Sequence, residues 1–129
     1  MKKFGLPFLF LLFSLVLFIP EVYAHPAIPT YVGAGTGAGG TGDVTPTIPS
    51  YQENDIFLLF VESNTAVTTP SGWATVTGFP VSAGSTAPTS LNILWKRATS
   101  SESNPTVTGG SDHKWAIILG FRGCITSGN

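Results

Sequence analysis

Three stretches of this chain arrange their apolar residues as extended strands do. In "SLNILWKRA", Leu91, Ile93 and Trp95 share one side, with Asn92 and Lys96 on the other. In "KWAIILGFRGC", Trp115, Ile117, Leu119 and Phe121 fall together, opposite Ala116, Ile118, Gly120, Arg122 and Cys124. "DIFLLFVES" is apolar without a break from Ile56 to Val61, the pattern of a strand covered on both faces. Beyond residue 24 no stretch repeats its apolar residues at helical spacing over a useful length.

Weaker strands fit around these three. "PTYVGAG" and "GDVTPTIP" read as short strands before the core. "GWATVTGFPV" reads as a Thr-rich strand whose Pro80 demands an edge or a bend. Thr69-Pro70-Ser71-Gly72, Ala83-Gly84-Ser85, Asn104-Pro105 and Gly109-Gly110 supply the turns. The pattern predicts an all-β fold, an antiparallel β-sandwich of jelly-roll type, in a single domain over 25–129. Phe57, Leu59, Trp95, Ile117, Leu119 and Phe121 are its expected core.

Such a sandwich commonly has about seven strands, and these stretches supply five or six. The sequence stops at "FRGCITSGN", directly after one of its two most hydrophobic strands. The domain is therefore expected to be partial at its C-terminal side. The strand around Trp115 to Phe121 should lack a neighbour or a covering layer, and the expected consequence is self-association through that strand.

The first 24 residues have the form of a secretory signal. Lys2 and Lys3 precede an apolar run from Leu6 to Ile19, Pro20 breaks it, and Val22-Tyr23-Ala24 offers a cleavage site. The run is short for a hydrocarbon layer of about 30 Å, so no stable membrane anchor is expected after cleavage. An extracytoplasmic chain, secreted or periplasmic, follows. Close to half of residues 25–129 are Gly, Pro, Thr or Ser. Its basic residues, Lys96, Arg97, Lys114 and Arg122, are outnumbered by Asp43, Glu53, Asp55, Glu62, Glu102 and Asp112. That balance is no footprint for nucleic acid. Cys124 stands alone and can form no internal disulfide; it reads as a small buried residue on a strand, or as a thiol for a segment outside this sequence.

The candidate sites are weak. Gly35-Thr36-Gly37-Ala38-Gly39-Gly40 satisfies G-x-G-x-x-G, but Thr41-Gly42-Asp43 and Thr45-Pro46 follow where a helix must start. A flexible loop between two strands is expected there. Cleavage after Ala24 leaves His25 as the first residue, and His113 is the other histidine. Lytic polysaccharide monooxygenases hold copper with such a pair, whose nitrogens suit Cu(II). Pro26 and the Pro-rich lead-in argue against a copper site here. Adjacent strand residues point to opposite faces, so Asp112 is not expected to orient His113 for catalysis; a turn before the last strand, with Asp112 as a turn residue, is expected there. Glu53, Asp55, Glu62 and Glu102 read as solubilising positions beside strands, with no spacing that singles out a glycosidase pair. Trp73, Trp95 and Trp115 could together stack on a surface glycan, as in carbohydrate-binding sandwiches. Trp95 and Trp115 are in register with aliphatic residues and read as core; Trp73, after Pro70-Ser71-Gly72, is the one expected at the surface.

The motifs "PTYVGAGTGAGGTGDVTPTIPS", "NDIFLLFVES", "TPSGWATVTG", "LNILWKRATSSES" and "DHKWAIILGFRGC" occur in an order that resembles a largely uncharacterised family of β-sandwich proteins from phage tails and bacterial surfaces. The resemblance covers nearly all of residues 25–129. It is most specific at Pro70-Ser71-Gly72-Trp73, at Trp95-Lys96-Arg97 and at Phe121-Arg122-Gly123. It implies further strands beyond that ending, a histidine after Asp112 irrespective of N-terminal processing, and no catalytic residues. The sequence thus predicts a secreted, non-catalytic structural or adhesive module with no metal, cofactor or catalytic residue. A carbohydrate-binding module and a copper monooxygenase are the alternatives.

Overall fold

The computed structural model describes residues 28–110 and 112–125. The signal-like segment 1–24 and His25 lie outside the described residues. Within them the chain is all-β, with nine strands and no helix. The strands are β1 Thr30–Ala34, β2 Ala38–Gly40, β3 Ile56–Ser63, β4 Val67–Thr68, β5 Ala74–Thr75, β6 Val81–Ala83, β7 Thr89–Arg97, β8 Thr108–Gly109 and β9 Lys114–Arg122.

Seven of them form one antiparallel sheet. Its order is β1-β9-β3-β7-β5, with β2 continuing the β1 edge along β9 and β6 continuing the β5 edge along β7. The three stretches with the clearest sequence pattern thus occupy its centre. β3 pairs along its whole length with β7 on one side and β9 on the other, Leu59 opposite both Leu94 and Ile118. β4 and β8 form a separate two-stranded ribbon.

Several sequence expectations change here. "GWATVTGFPV" is not one strand. Gly78 with φ +93° and a cis Phe79–Pro80 bond split it into β5 and β6, both on the edge as Pro80 required. "GDVTPTIP" contributes a single bridge, Val44 to Val107, and not a strand. The glycine run is no loose loop, because Ala38–Gly40 pairs with Lys114–Ala116 of β9. Gly35 donates its N–H to Ile118 O at 2.9 Å and lies so close to the 44–51 segment that a Cβ would stand 1.7 Å from Thr47 O. Glycine is needed at that contact.

The sheet buries one face. Phe57, Leu59 and Val61 of β3, Leu94 of β7, and Ala116 and Ile118 of β9 point inward. What covers them is mostly loop: Val44, Ile48 and Tyr51 from the segment after β2, Trp73 after the Pro70–Gly72 turn, Ala98 and Val107. Phe57 is fully buried, with Tyr51 edge-on at 5.3 Å and Trp73 stacked at 6.4 Å between ring centroids. One end of this face is polar. Asn92 donates to Ser63 Oγ at 3.2 Å and accepts from Val67 N at 3.3 Å, and Lys114 donates to Gly109 O.

Two of the six expected core residues are in the core. Phe57 and Leu59 are in it, whereas Trp95, Ile117, Leu119 and Phe121 belong to the opposite face. Alternation along β7 and β9 correctly grouped residues by side, but it carries no information about which side is covered. The expected missing neighbour of the Trp115–Phe121 strand is also corrected, since β9 is paired on both edges. Self-association by strand addition along β9 is therefore blocked in this fold. The other half of that expectation concerned cover, and among the described residues no layer packs on the outer face of β9.

Candidate functional site

The outer face of the central sheet is the most distinctive surface of the molecule. Directly paired residues of an antiparallel sheet share a face, so register alone assembles it. Along one end run Tyr31, Phe121, Ile56 and Arg97. Next come Leu119, Leu58 and Trp95, then Ile117, Phe60 and Ile93. The far end carries Trp115, Glu62, Leu91 and Val81. Among the described residues this surface is solvent-facing. Trp95 is 39%, Trp115 49% and Tyr31 55% exposed, and the aliphatic residues between them are half-buried by one another.

The tryptophan assignments are consequently reversed. Trp73 is buried, at 8% exposure, because the turn closed by Trp73 N–H to Pro70 O folds the indole over Phe57. Trp95 and Trp115 stand outward. Trp115 lies beneath the glycine run: a Cβ on Gly37 would come within 2.9 Å of its ring. The glycines there let backbone approach an indole, which sequence reasoning missed; an alternating Gly pattern opposite an aromatic strand was the available signal.

Polar groups on the outer face sit at its two ends. At one, Arg97 donates to Asn54 O at 3.2 Å and to Ile125 O at 2.7 Å. At the other, His113 lies between two carboxylates, Nε2 against Glu62 Oε1 at 3.0 Å and Nδ1 against Asp112 Oδ1 at 2.8 Å. Both ring nitrogens can donate only in the imidazolium form. The bond to Glu62 and then that to Asp112 raise the histidine above its ordinary value, while Asp112 is lowered by the same contact. The expectation that Asp112 cannot orient His113 is corrected. Asp112 is a turn residue ahead of β9, as the sequence reading expected, so strand alternation does not apply to it. The two carboxylates approach opposite edges of the ring and do not converge. Among the described residues, no group of three or more His, Cys, Asp or Glu side chains could hold a metal ion.

The remaining carboxylates are mostly structural. Asp55 and Glu102, expected as solubilising positions, are buried. Asp55 accepts from Arg122 Nε at 2.9 Å, Arg122 Nη2 at 2.8 Å and Gln52 N at 2.8 Å. The Arg122 hydrogen bonds outweigh burial and hold this carboxyl below its usual range. Burial pushes Glu102 up, but hydrogen bonds from Lys96 and Thr99 win and its carboxyl too is lowered. Glu53 is exposed, as expected. Cys124 is half-buried just beyond β9, after Gly123 at φ +82° takes the backbone out of the strand, and so is not a buried strand residue.

A groove of about 300 Å³ lies on the other side of the molecule, lined by Pro70, Trp73, Lys96, Asn104 and Pro105 among others. Two of its polar side chains are already engaged: Lys96 with Glu102, and Asn104 Oδ1 with Ile48 N at 2.9 Å. No family model, curated protein or solved structure matches this chain.

Proposed function

We propose that this chain is an exported, non-catalytic structural or adhesive module. In this reading its central sheet is one layer of a β-sandwich, and the second layer comes from outside the described residues. The apolar outer face carries the proposal. β3 is apolar on both sides from Ile56 to Val61, a pattern that suits a strand covered twice, and among the described residues only its Phe57, Leu59 and Val61 side is covered. Five strand positions about 4.8 Å apart and strands of about 30 Å give a face on the order of 600 Å². That is the upper end of the about 300–600 Å² covered by the largest apolar patch of a typical monomer, and patches of that size are often functional. Each large side chain brought from water into a layer contributes about 1.5–3 kcal/mol. The assignment to phage-tail-like or bacterial surface proteins is part of this proposal and rests on the sequence motifs alone.

A second reading has one observation in its favour. Tyr31, Trp95 and Trp115 are exposed on the same face, and exposed aromatics stack on sugars. Hydroxyl groups also need hydrogen-bond partners. Between these rings stand Leu58, Phe60, Ile93, Ile117 and Leu119, which suit an apolar partner and not a glycan.

Both readings meet in one experiment. In dilute solution the full chain should bind an apolar dye such as anilinonaphthalene sulfonate, and acrylamide should quench its exposed tryptophans. Polysaccharide pull-downs should give no retention that depends on Trp95 or Trp115. Retention abolished by both Trp95→Ala and Trp115→Ala would replace the structural reading with the glycan one.

A further inference from the structure

We propose that the layer covering the outer face is the same face of a second copy, with the strands of the two copies running in opposite directions. The Arg97 end of each copy then lies over the Glu62 end of the other. This inference rests on the reading of the face as one half of a sandwich.

Three features select that partner and that geometry. A two-fold interface must be self-complementary, and this face is apolar in its middle rows and charged only at its ends. Reversing it about its centre lays Leu58, Phe60, Ile117 and Leu119 on themselves. Next comes charge. Arg97 pairs with Ile56 in the register and Glu62 lies six positions further along β3, so the two charges stand about 20 Å apart along the strands. Asp112 adds to the acidic end, and His113, held between Asp112 and Glu62, offsets only one of the two carboxylates. A two-fold axis running across the strands exchanges the ends and brings each Arg97 to the acidic end opposite. The axis parallel to the strands would gather both arginines at one end and the carboxylates at the other, and like charges facing each other oppose association. Size is the third feature. Two faces on the order of 600 Å² bury about 1,200 Å² together, the lower limit of specific interfaces. Sheets packed face to face lie about 10 Å apart, a spacing these side chains can fill by interdigitation.

The test is a charge exchange in the full chain, followed by sedimentation equilibrium. The unaltered chain should be a reversible dimer. Glu62→Arg alone and Arg97→Glu alone should each weaken it on the order of tenfold or more, because two end contacts become repulsive at once. Mixing the two single variants should give a heterodimer as tight as the original. The chain carrying both substitutions should also dimerise again, which separates charge from misfolding. A dimer indifferent to either single substitution overturns the inference, since association would then use another surface or axis. A monomer at 100-fold higher concentration that still binds the dye overturns the second copy as occupant but leaves the open face standing. A monomer that excludes the dye overturns both, because the chain's own residues would then cover the face.

Discussion

Replacing Asp55 by alanine removes the group that ties the start of β3 to the end of β9. The side chain is 2% exposed and accepts three hydrogen bonds, two of them from the Arg122 guanidinium. Deleting one partner of a fully buried ion pair costs about 3–5 kcal/mol. Here the surviving partner is not fully buried, with Arg122 at 41% exposure, so its charge rehydrates and the cost falls. What remains is the unpaired Gln52 N–H, worth about 1–3 kcal/mol, and the lost charged hydrogen bonds at about 1.5–3 kcal/mol. Partial overlap of these gives an expected loss of about 2–4 kcal/mol for Asp55→Ala, a large share of the 5–15 kcal/mol typical of a domain. The pH dependence has a definite sign. The folded carboxyl is held below its unfolded value, so its contribution is fully present above the unfolded pKa. It fades as pH falls through the lowered folded one. Urea unfolding of both chains, followed by tryptophan fluorescence at pH 7 and in steps below pH 4, measures this. The gap between them should be constant near neutrality and shrink in acid. A gap under about 0.5 kcal/mol at pH 7, or one that does not change in acid, would refute the reasoning.

The two faces of the central sheet should respond differently to substitution. Phe57→Ala, at a fully buried ring, should cost about 3–5 kcal/mol, whereas Leu91→Lys on the outer face should cost under about 1 kcal/mol in the dilute chain; comparable losses in urea melts would mean that the outer face is covered. Gly35→Ala should cost more than the 1–3 kcal/mol usual for overpacking, because its Cβ would meet the Thr47 carbonyl and Thr47 N–H is itself bonded to Thr36 O at 3.0 Å. Gly42→Ala, with nothing within 4 Å, should be nearly neutral, and equal melting temperatures for the two variants would argue against the close approach at Gly35.

Much of the fold was legible because strand periodicity is local. The alternation of β7 and β9, and the unbroken apolar run of β3, marked the three central strands and sorted their residues into two sides. The turn glycines were legible for the same reason: Gly72, Gly84, Gly109 and Gly110 all have positive φ. The glycine run was not, since its close approach to Trp115 and Thr47 depends on where distant segments come to lie.

By itself the sequence determined the all-β class, the central strands, and which side chains travel together on each. Only the tertiary structure decided which side of the sheet is inside. Loops carrying Val44, Tyr51, Trp73 and Val107 converge on the Phe57 side, and no local pattern records that convergence. It is why Trp73 went inward while Trp95 and Trp115 stayed outward. It is also why Asp55 and Glu102 became buried partners of Arg122 and Lys96 instead of surface charges. A period of two specifies sides, and burial is settled by contacts between residues far apart in the chain.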